Sequence, residues 1–530
     1  MSVAAAFDLS YTDLTAGTQR VFCRIGLVPG PSIDTYAAAA LDGTSLDEAR
    51  RCLDELYDQH LLAEPGPGRY QLHDLLREHA RGLAATAEPD QAAGRLLDYY
   101  LHTALAAARQ APTWTTVQDH PPPARPPAHV PSLSTHQQAA DWLETERPNL
   151  HAAAEHAVAS GRARHTVQIV AAIGDLLLIH GHWDQATALH RTALTAAKQA
   201  GDQSGQAGAL NHLGILQELT GDFGASAASF AQAEELYGDA GDQPGQVRVL
   251  TWLAFLRSLA GDYPAATAIS RRALALAQDS HDRLSQAYAL NTLGLVQRLT
   301  GDCAAAAVNQ QQALEAYRSI GYRLGQVEAL YDLGVVQRDT GNYQAAAASH
   351  QQALKLFRHL GYRLGEARAL NGLGVVQQET GDYVAAAASH QQALSLFRDF
   401  GHQLGEAEAL NCLGELSSRT SATHLAREHH TRALAIASDF GVPLEEARAL
   451  EGIGQAHLRD GNCGDGEALL QQALAIYQRI GAPAARRVRK TLQNNKLASA
   501  THDPQPAEPN GEGHQTGGDP GTRRAGSATE

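Results

Sequence analysis

The chain has 530 residues, with 42 Lys and Arg against 57 Asp and Glu, and a formal charge of −15. That length exceeds what one ordinary hydrophobic core can serve. The negative balance argues against nucleic acid as a partner, because phosphate is held by clustered positive charge. Cys23, Cys52, Cys303, Cys412 and Cys463 are too scattered for a zinc site or a redox pair. They read as reduced thiols of a cytoplasmic protein.

Met1 to Leu9 has no basic start and only a short apolar run, so it does not read as a signal peptide. Residues 1–110 look globular and mostly helical. Residues 111–133 are rich in proline, including Pro121, Pro122 and Pro123, and read as a stiff linker. A leading helix is expected over Gln138 to Ser160, within a segment 134–164. The repeat array is placed at 165–490. The longest apolar stretch, Ile169 to Ile179, is broken by Asp175, so no membrane span is expected. Residues 491–530 hold almost no large apolar side chains, and a disordered tail is expected there.

The array is the strongest signal. Ala193, Ala233, Ala273, Ala313, Ala353, Ala393, Ala433 and Ala473 recur every forty residues without one insertion or deletion. A second column is always small: Ala186, Ser226, Ala266, Ala306, Ala346, Ala386, Ala426 and Gly466. A fixed period of this size means a solenoid, in which each unit buries its apolar face only against its neighbours. Each unit reads as two helices. In the fourth, Ala287, Leu290, Leu293, Gly294 and Val296 form a helical stripe. Gly301 then ends the helix, and Asp302 caps the next by accepting backbone N–H bonds. One unit departs: Ser421, Ala422 and Thr423 stand where the others have Gly-Asp-aromatic, and a locally altered turn is expected.

Leu290, Leu293, Gly294, Ala306, Ala313 and Leu314 fall at the helix-packing positions of the tetratricopeptide repeat, which the unit resembles despite forty residues rather than thirty-four. Three earlier stretches carry a second resemblance: Leu9 to Tyr11, Arg69 to Arg77 and Leu96 to Tyr100. They are similar to the winged helix of actinobacterial signal-transduction ATPases that act as antibiotic-regulatory transcriptional regulators. Ala140 to Glu144, with Arg147, Asn149 and Leu150, resembles the usual lead-in to their repeats. The chain thus looks like the back half of such a regulator. That resemblance implies a His-Asp pair near nucleotide phosphates, here His73 and Asp74. No Gly-Lys pair exists anywhere in the chain, so the phosphate-binding loop is missing. His73 reads as a structural remnant, and no cofactor is expected. The helix Ser45 to Gln59 carries five acids against Arg50 and Arg51, a poor match to a DNA groove flanked by phosphates.

His190, His350, His390 and His430 share one position on the second helix of their units. Units spaced by about a helix-packing distance of ~10 Å cannot bring those imidazoles to one ion, so no metal is expected and the column reads as packing. Cys303 and Cys463, at aromatic positions, are expected to be inert buried thiols. By the repeat resemblance, Asn211, Thr251, Asn291, Tyr331, Asn371, Asn411 and Glu451 face the concave groove. Asn amides can pair with a peptide backbone without reading its sequence, although the same column could simply satisfy neighbouring helices. Arg298, Arg338 and Arg368 nearby suit a carboxylate held bidentately. No catalytic set can be assembled. The fold expected is all-α: a right-handed superhelical solenoid of about eight helical hairpins after a small winged-helix-like domain. The function expected is non-enzymatic capture of a protein or peptide ligand, at Asn211, Asn291, Tyr331, Asn371, Asn411, Arg298, Arg338 and Arg368, along one long trough. The alternatives are a transcriptional regulator touching DNA through its winged helix, or a signalling ATPase lacking its nucleotide domain.

Overall fold

The structure, a computed structural model, describes residues 3–84, 88–110 and 126–500. Over the described residues it holds twenty-four helices and a two-stranded sheet. After α1 (Val3–Thr12), the helices α2 (Ala16–Ile25), α3 (Thr35–Asp42) and α4 (Leu46–Asp58) lead into the hairpin β1 (Ala63–Gly66) and β2 (Arg69–Gln71). Ile33 bridges Tyr70 as a third, minimal strand. This is the winged-helix arrangement. Asp34 and Ser45 cap α3 and α4 through their side chains, which is why the helices begin where they do.

α5 (Asp74–Leu83) and α6 (Pro89–Ala108) follow, and α7 (His136–Ala159) packs on α6. The proline-rich stretch therefore joins two packed helices, and residues 111–125 of it lie outside the described residues. Nor is there a break in packing between the winged helix and the array. Arg69 of β2 pairs with the buried Glu146 of α7. Arg69 also donates to Ser32 Oγ at 2.7 Å, and Asn149 donates to Glu146 at 2.6 Å. One apolar core runs continuously from Leu14 in the winged helix to Ala449 in the array.

Eight hairpins then follow at the forty-residue period. They are α8 (Ala163–Ile179) with α9 (Trp183–Ala200), α10 (Gln203–Leu219) with α11 (Phe223–Asp239), α12 (Gln243–Leu259) with α13 (Tyr263–Asp279), and α14 (Arg283–Thr300) with α15 (Cys303–Ile320). The second four are α16 (Arg323–Asp339) with α17 (Tyr343–His359), α18 (Arg363–Glu379) with α19 (Tyr383–Asp399), α20 (Gln403–Arg419) with α21 (Thr423–Asp439), and α22 (Pro443–Arg459) with α23 (Cys463–Ile480). The Ala column forms the seam: Ala233, Ala273, Ala313, Ala353, Ala393, Ala433 and Ala473 have no exposed surface. Asp302 caps α15 as expected, accepting from the Ala305 N–H at 3.1 Å. Ser421 takes the left-handed conformation of the missing glycine, with φ of 61°, and the register holds.

Two expectations need correction. The last helix, α24 (Ala484–Ala500), runs ten residues past the array's expected end at 490, and Leu492 is buried against the final hairpin. Residues 501–530 of the expected disordered tail lie outside the described residues. The second correction is larger. The expected trough is not open along its length, because successive superhelical turns touch. Trp183 stacks on Phe400 at 5.9 Å between ring centroids. A Cβ built on Gly181 would lie 2.2 Å from Phe400, one on Gly221 would lie 2.1 Å from Phe440, and one on Gly261 would lie 2.4 Å from Ile480. Each pair is separated by about five and a half hairpins. One turn of the superhelix closes over that distance and encloses a lumen.

Candidate ligand site in the superhelical lumen

The lumen is walled by the first helices of hairpins two to eight, and its cavity measures about 600 Å³. Its shape depends on how closely the two helices of each hairpin approach. The helix pairs meet at glycines. A Cβ on Gly334 would fall 2.9 Å from the His350 ring, one on Gly374 would fall 2.7 Å from His390, and one on Gly414 would fall 2.5 Å from His430. The glycine column of the first helix is thus the socket for the histidine column of the second. All three imidazoles are buried. Burial disfavours their charged form, pushing His350 down to about 3 and His390 and His430 down to about 4. Among the described residues no three His, Cys, Asp or Glu side chains converge as a metal site.

The asparagine column divides. The Asn411 amide donates to Glu445 at 2.9 Å, and its oxygen accepts from His430 Nδ1 at 3.0 Å. Asn371 accepts from His390 Nδ1 at 2.7 Å and donates to Cys412 Sγ at 3.8 Å. These two are braces between neighbouring helices. Asn411 has no exposed surface and does not line the cavity. Asn291 donates to Asp332 at 3.0 Å, while its oxygen is buried without a partner. Asn211 lines the cavity, is 1% exposed, and its amide oxygen finds no partner.

The arginines are engaged within the fold. Arg338 pairs with Asp339 at 2.6 Å, Arg298 reaches the same carboxylate at 3.4 Å, and Arg368 pairs with Glu328 at 2.7 Å. Arg448 holds Glu415 and Glu445, and Arg487 holds Glu451. Arg298, Arg338 and Arg368, expected to hold a ligand carboxylate, thus already face carboxylates of the fold: Asp339, shared by the first two, and Glu328. Arg368 also lies 4.6 Å above the Tyr331 ring, which itself packs on His350.

The lining groups left without an ion pair include two acids and Arg248, whose Nε is buried without a partner and whose guanidinium lies over the Tyr237 ring. Glu218, on the last turn of α10, is 5% exposed and lines the cavity. Burial pushes it up to about 7, against the pull of Arg368 and with the repulsion of Glu408. Burial and the Glu445 charge likewise push Glu408 up to about 7. Glu218 was legible: it stands in the same repeat column as Arg298 and Arg338. Also missed were Trp252, Phe255, Tyr322 and Tyr362, which give the cavity an aromatic wall. Tyr322 and Tyr362 replace the acidic cap found at Asp202, Asp242 and Asp282, a substitution visible in the repeat alignment.

Outside the lumen, His73 is exposed at the start of α5 and makes no capping bond. The outer face of α4 presents Asp47, Asp54, Glu55 and Asp58 against Arg50 and Arg51. Cys463 is exposed and Cys303 partly exposed, where buried thiols were expected. No helix among the described residues is long and apolar enough to cross a membrane.

A family model for the tetratricopeptide repeat matches residues 246–319 and 325–399. Those hairpins, the third to the sixth, match the tetratricopeptide repeat, and the other hairpins of the array keep the same forty-residue period. The regulatory protein AfsR of Streptomyces griseus is 32% identical over 243 residues, covering 44% of this chain and 24% of that protein. AfsR of Streptomyces coelicolor is 33% identical over 212 residues, covering 38% and 21%. The match thus spans about a quarter of the length of these regulators. A signal transduction ATPase with a tetratricopeptide repeat sensor, from Pyrococcus horikoshii, superposes with a TM-score of 0.53 at 15% identity. It covers 93% of this chain and 67% of its own, a likeness of fold. The chain is thus similar to tetratricopeptide repeats over part of its array and to AfsR regulators over part of its length.

Proposed function

We propose that this chain is the non-enzymatic sensing part of a bacterial regulator and that its array captures a short peptide segment inside the lumen. A cavity of about 600 Å³ falls within the ~300–1,000 Å³ range of sites that enclose a small ligand, so the ligand is short rather than a long chain laid in a groove. The observation that carries the reading is Asn211. A buried amide without partners costs about 1–3 kcal/mol, and this one faces a cavity with an aromatic wall. An extended peptide offers it both a donor and an acceptor at every residue. The winged helix is coupled to the array through packed helices, since α6 touches both α3 and α8, and it would pass the bound state on.

The test is retention of a pooled random pentapeptide library by immobilised protein. Asn211→Ala combined with Asn291→Ala is expected to cut retention at least tenfold (about 1.4 kcal/mol at 25 °C) with the helical circular dichroism unchanged. Undiminished retention would remove the lumen from the account.

A further inference from the structure

Arg368 sits among more acids than it can serve. Four carboxyl groups interact with it: Glu218 from the second hairpin, Glu328 and Asp332 from the fifth, and Glu408 from the seventh. Only Glu328 forms an ion pair with it, at 2.7 Å, and Asp332 is answered by the Asn291 amide. Glu408 also feels Glu445, Arg448 and Arg298, of which Arg448 is paired with Glu415 and Glu445 and Arg298 with Asp339. Among the described residues, the side chains of Glu218 and Glu408 meet no hydrogen-bond or ion-pair partner. The two are 190 positions apart in sequence and come within electrostatic reach of one another because the second hairpin lies against the next superhelical turn, where Gly221 abuts Phe440.

Two carboxyl groups without partners, lining one cavity together with the unsatisfied Asn211 amide oxygen, constitute an acceptor set that lacks a donor. The charge requirement follows directly. Desolvated carboxylates are costly unless a cation reaches them; the other arginines of the lumen are ion-paired, and Arg248, which is not, interacts with Tyr237, Tyr288 and Asp242 rather than with Glu218 or Glu408. We infer that the lumen selects a ligand bearing an organic cation, a guanidinium or ammonium group, and seats it between Glu218 and Glu408. Tyr362, which lies within the electrostatic reach of Glu218 and lines the same cavity, supplies an aromatic face for that cation. This rests on the reading of the lumen as a peptide site, so the cation is the basic side chain or free amine of a short peptide.

The pooled pentapeptide library, with spermidine as a separate probe, tests it on the full chain. The expected result is at least tenfold enrichment of Arg- and Lys-containing peptides, abolished in Glu218→Gln/Glu408→Gln while neutral peptides bind both proteins alike. Peptides retained without basic enrichment, or enrichment surviving in the double variant, would overturn the cation site and leave the peptide reading standing. Spermidine raising the Tm of the parent alone, with no peptide retained, would keep the cation site and overturn the peptide reading. Failure of both probes would overturn both. A folding readout runs independently. Without ligand the double variant should melt at or above the parent, because it removes two carboxyls that the fold leaves unanswered. A lower Tm would show that they are satisfied internally and would sink the inference.

Discussion

Asn211 and Asn411 occupy the same repeat position five units apart, yet their surroundings give them different work. Asn411 is met by His430 from its own hairpin and by Glu445 from the next. At the places corresponding to His430 and Glu445, Asn211 has Phe230 and Gly245, neither of which carries a polar side-chain atom. An apolar pair offers an amide nothing, so the second hairpin keeps an open valence toward the cavity while the seventh is closed. A repeat column therefore fixes where a side chain points, and its neighbours fix whether it braces the fold or waits for a ligand.

The sharpest way to break that comparison is to remove both amides in turn. Asn411→Ala should destabilise by about 2 kcal/mol, since it strands a buried imidazole N–H and takes one hydrogen bond from Glu445, which keeps Arg448. Asn211→Ala should leave stability unchanged or raise it by up to about 1 kcal/mol, since it loses no hydrogen bond and removes an unanswered buried amide oxygen. Thermal melts compare the two directly, and equal losses would erase the distinction drawn between the second and seventh hairpins.

The next effect contrasts glycines that share one column. Gly221 and Gly341 both hold positive φ, at 84° and 80°. A Cβ on Gly221 meets Phe440 at 2.1 Å, whereas one on Gly341 meets nothing within 4 Å. Gly341→Ala should cost only the left-handed strain, about 1 kcal/mol. Gly221→Ala should cost about 1–2 kcal/mol more and loosen the contact between turns, visible as a larger radius of gyration in X-ray scattering. Phe440→Ala added to it should recover part of the loss.

These turn-to-turn contacts mark the limit of what was legible. The hairpins, their caps and the glycine punctuation follow from local propensity and a period written eight times, so the solenoid and its inner face could be read directly. The enclosure could not. It depends on the small rotation between hairpins accumulating until Trp183 reaches Phe400, and no pattern within one unit encodes that sum. The same holds for Glu218 and Glu408. Each is readable as a lumen residue, but their meeting is a property of the pitch. The arginines differ: the column placed them on the inner face, while Asp339 follows Arg338 directly and lies one hairpin after Arg298, and Glu328 lies one hairpin before Arg368.

The histidine seam provides a pH contrast of intermediate size. His350, His390 and His430 are held neutral in the fold, at about 3 to 4, against about 6.5 when unfolded. Between those values the unfolded chain binds more protons, so stability falls as pH drops from 6.5 toward 4, by up to about 1.4 kcal/mol per pH unit for each ring. Glu218 and Glu408, raised to about 7, oppose this between about 4.5 and 7, because there the folded state holds the extra protons. Three rings against two carboxyls leave a net loss on acidification. Hydrogen exchange at pH 5 should therefore show the fifth to seventh hairpins opening before the second, where Phe230 replaces the ring. His350→Gln, which copies the Gln310 of the fourth hairpin, should flatten the slope. A pH-independent order of opening would break the contrast.

The smallest effect is at the one first-to-second-helix turn that lacks its glycine. Ser421 adopts φ of 61° where Gly221, Gly261, Gly301, Gly341, Gly381 and Gly461 hold the same conformation without a Cβ. The left-handed region costs a residue with a Cβ about 1–2 kcal/mol, but serine gives the unfolded chain less freedom than glycine and recovers part of that. Ser421→Gly should thus gain about 0.5–1 kcal/mol. His281, at φ of 56° in the second-to-first-helix column, should respond likewise. If both substitutions lower the melting temperature, those side chains hold their turns through contacts that outweigh the strain, and the glycine column is less a steric requirement than the uniform geometry of its fifteen left-handed members from Gly161 to Gly481 indicates.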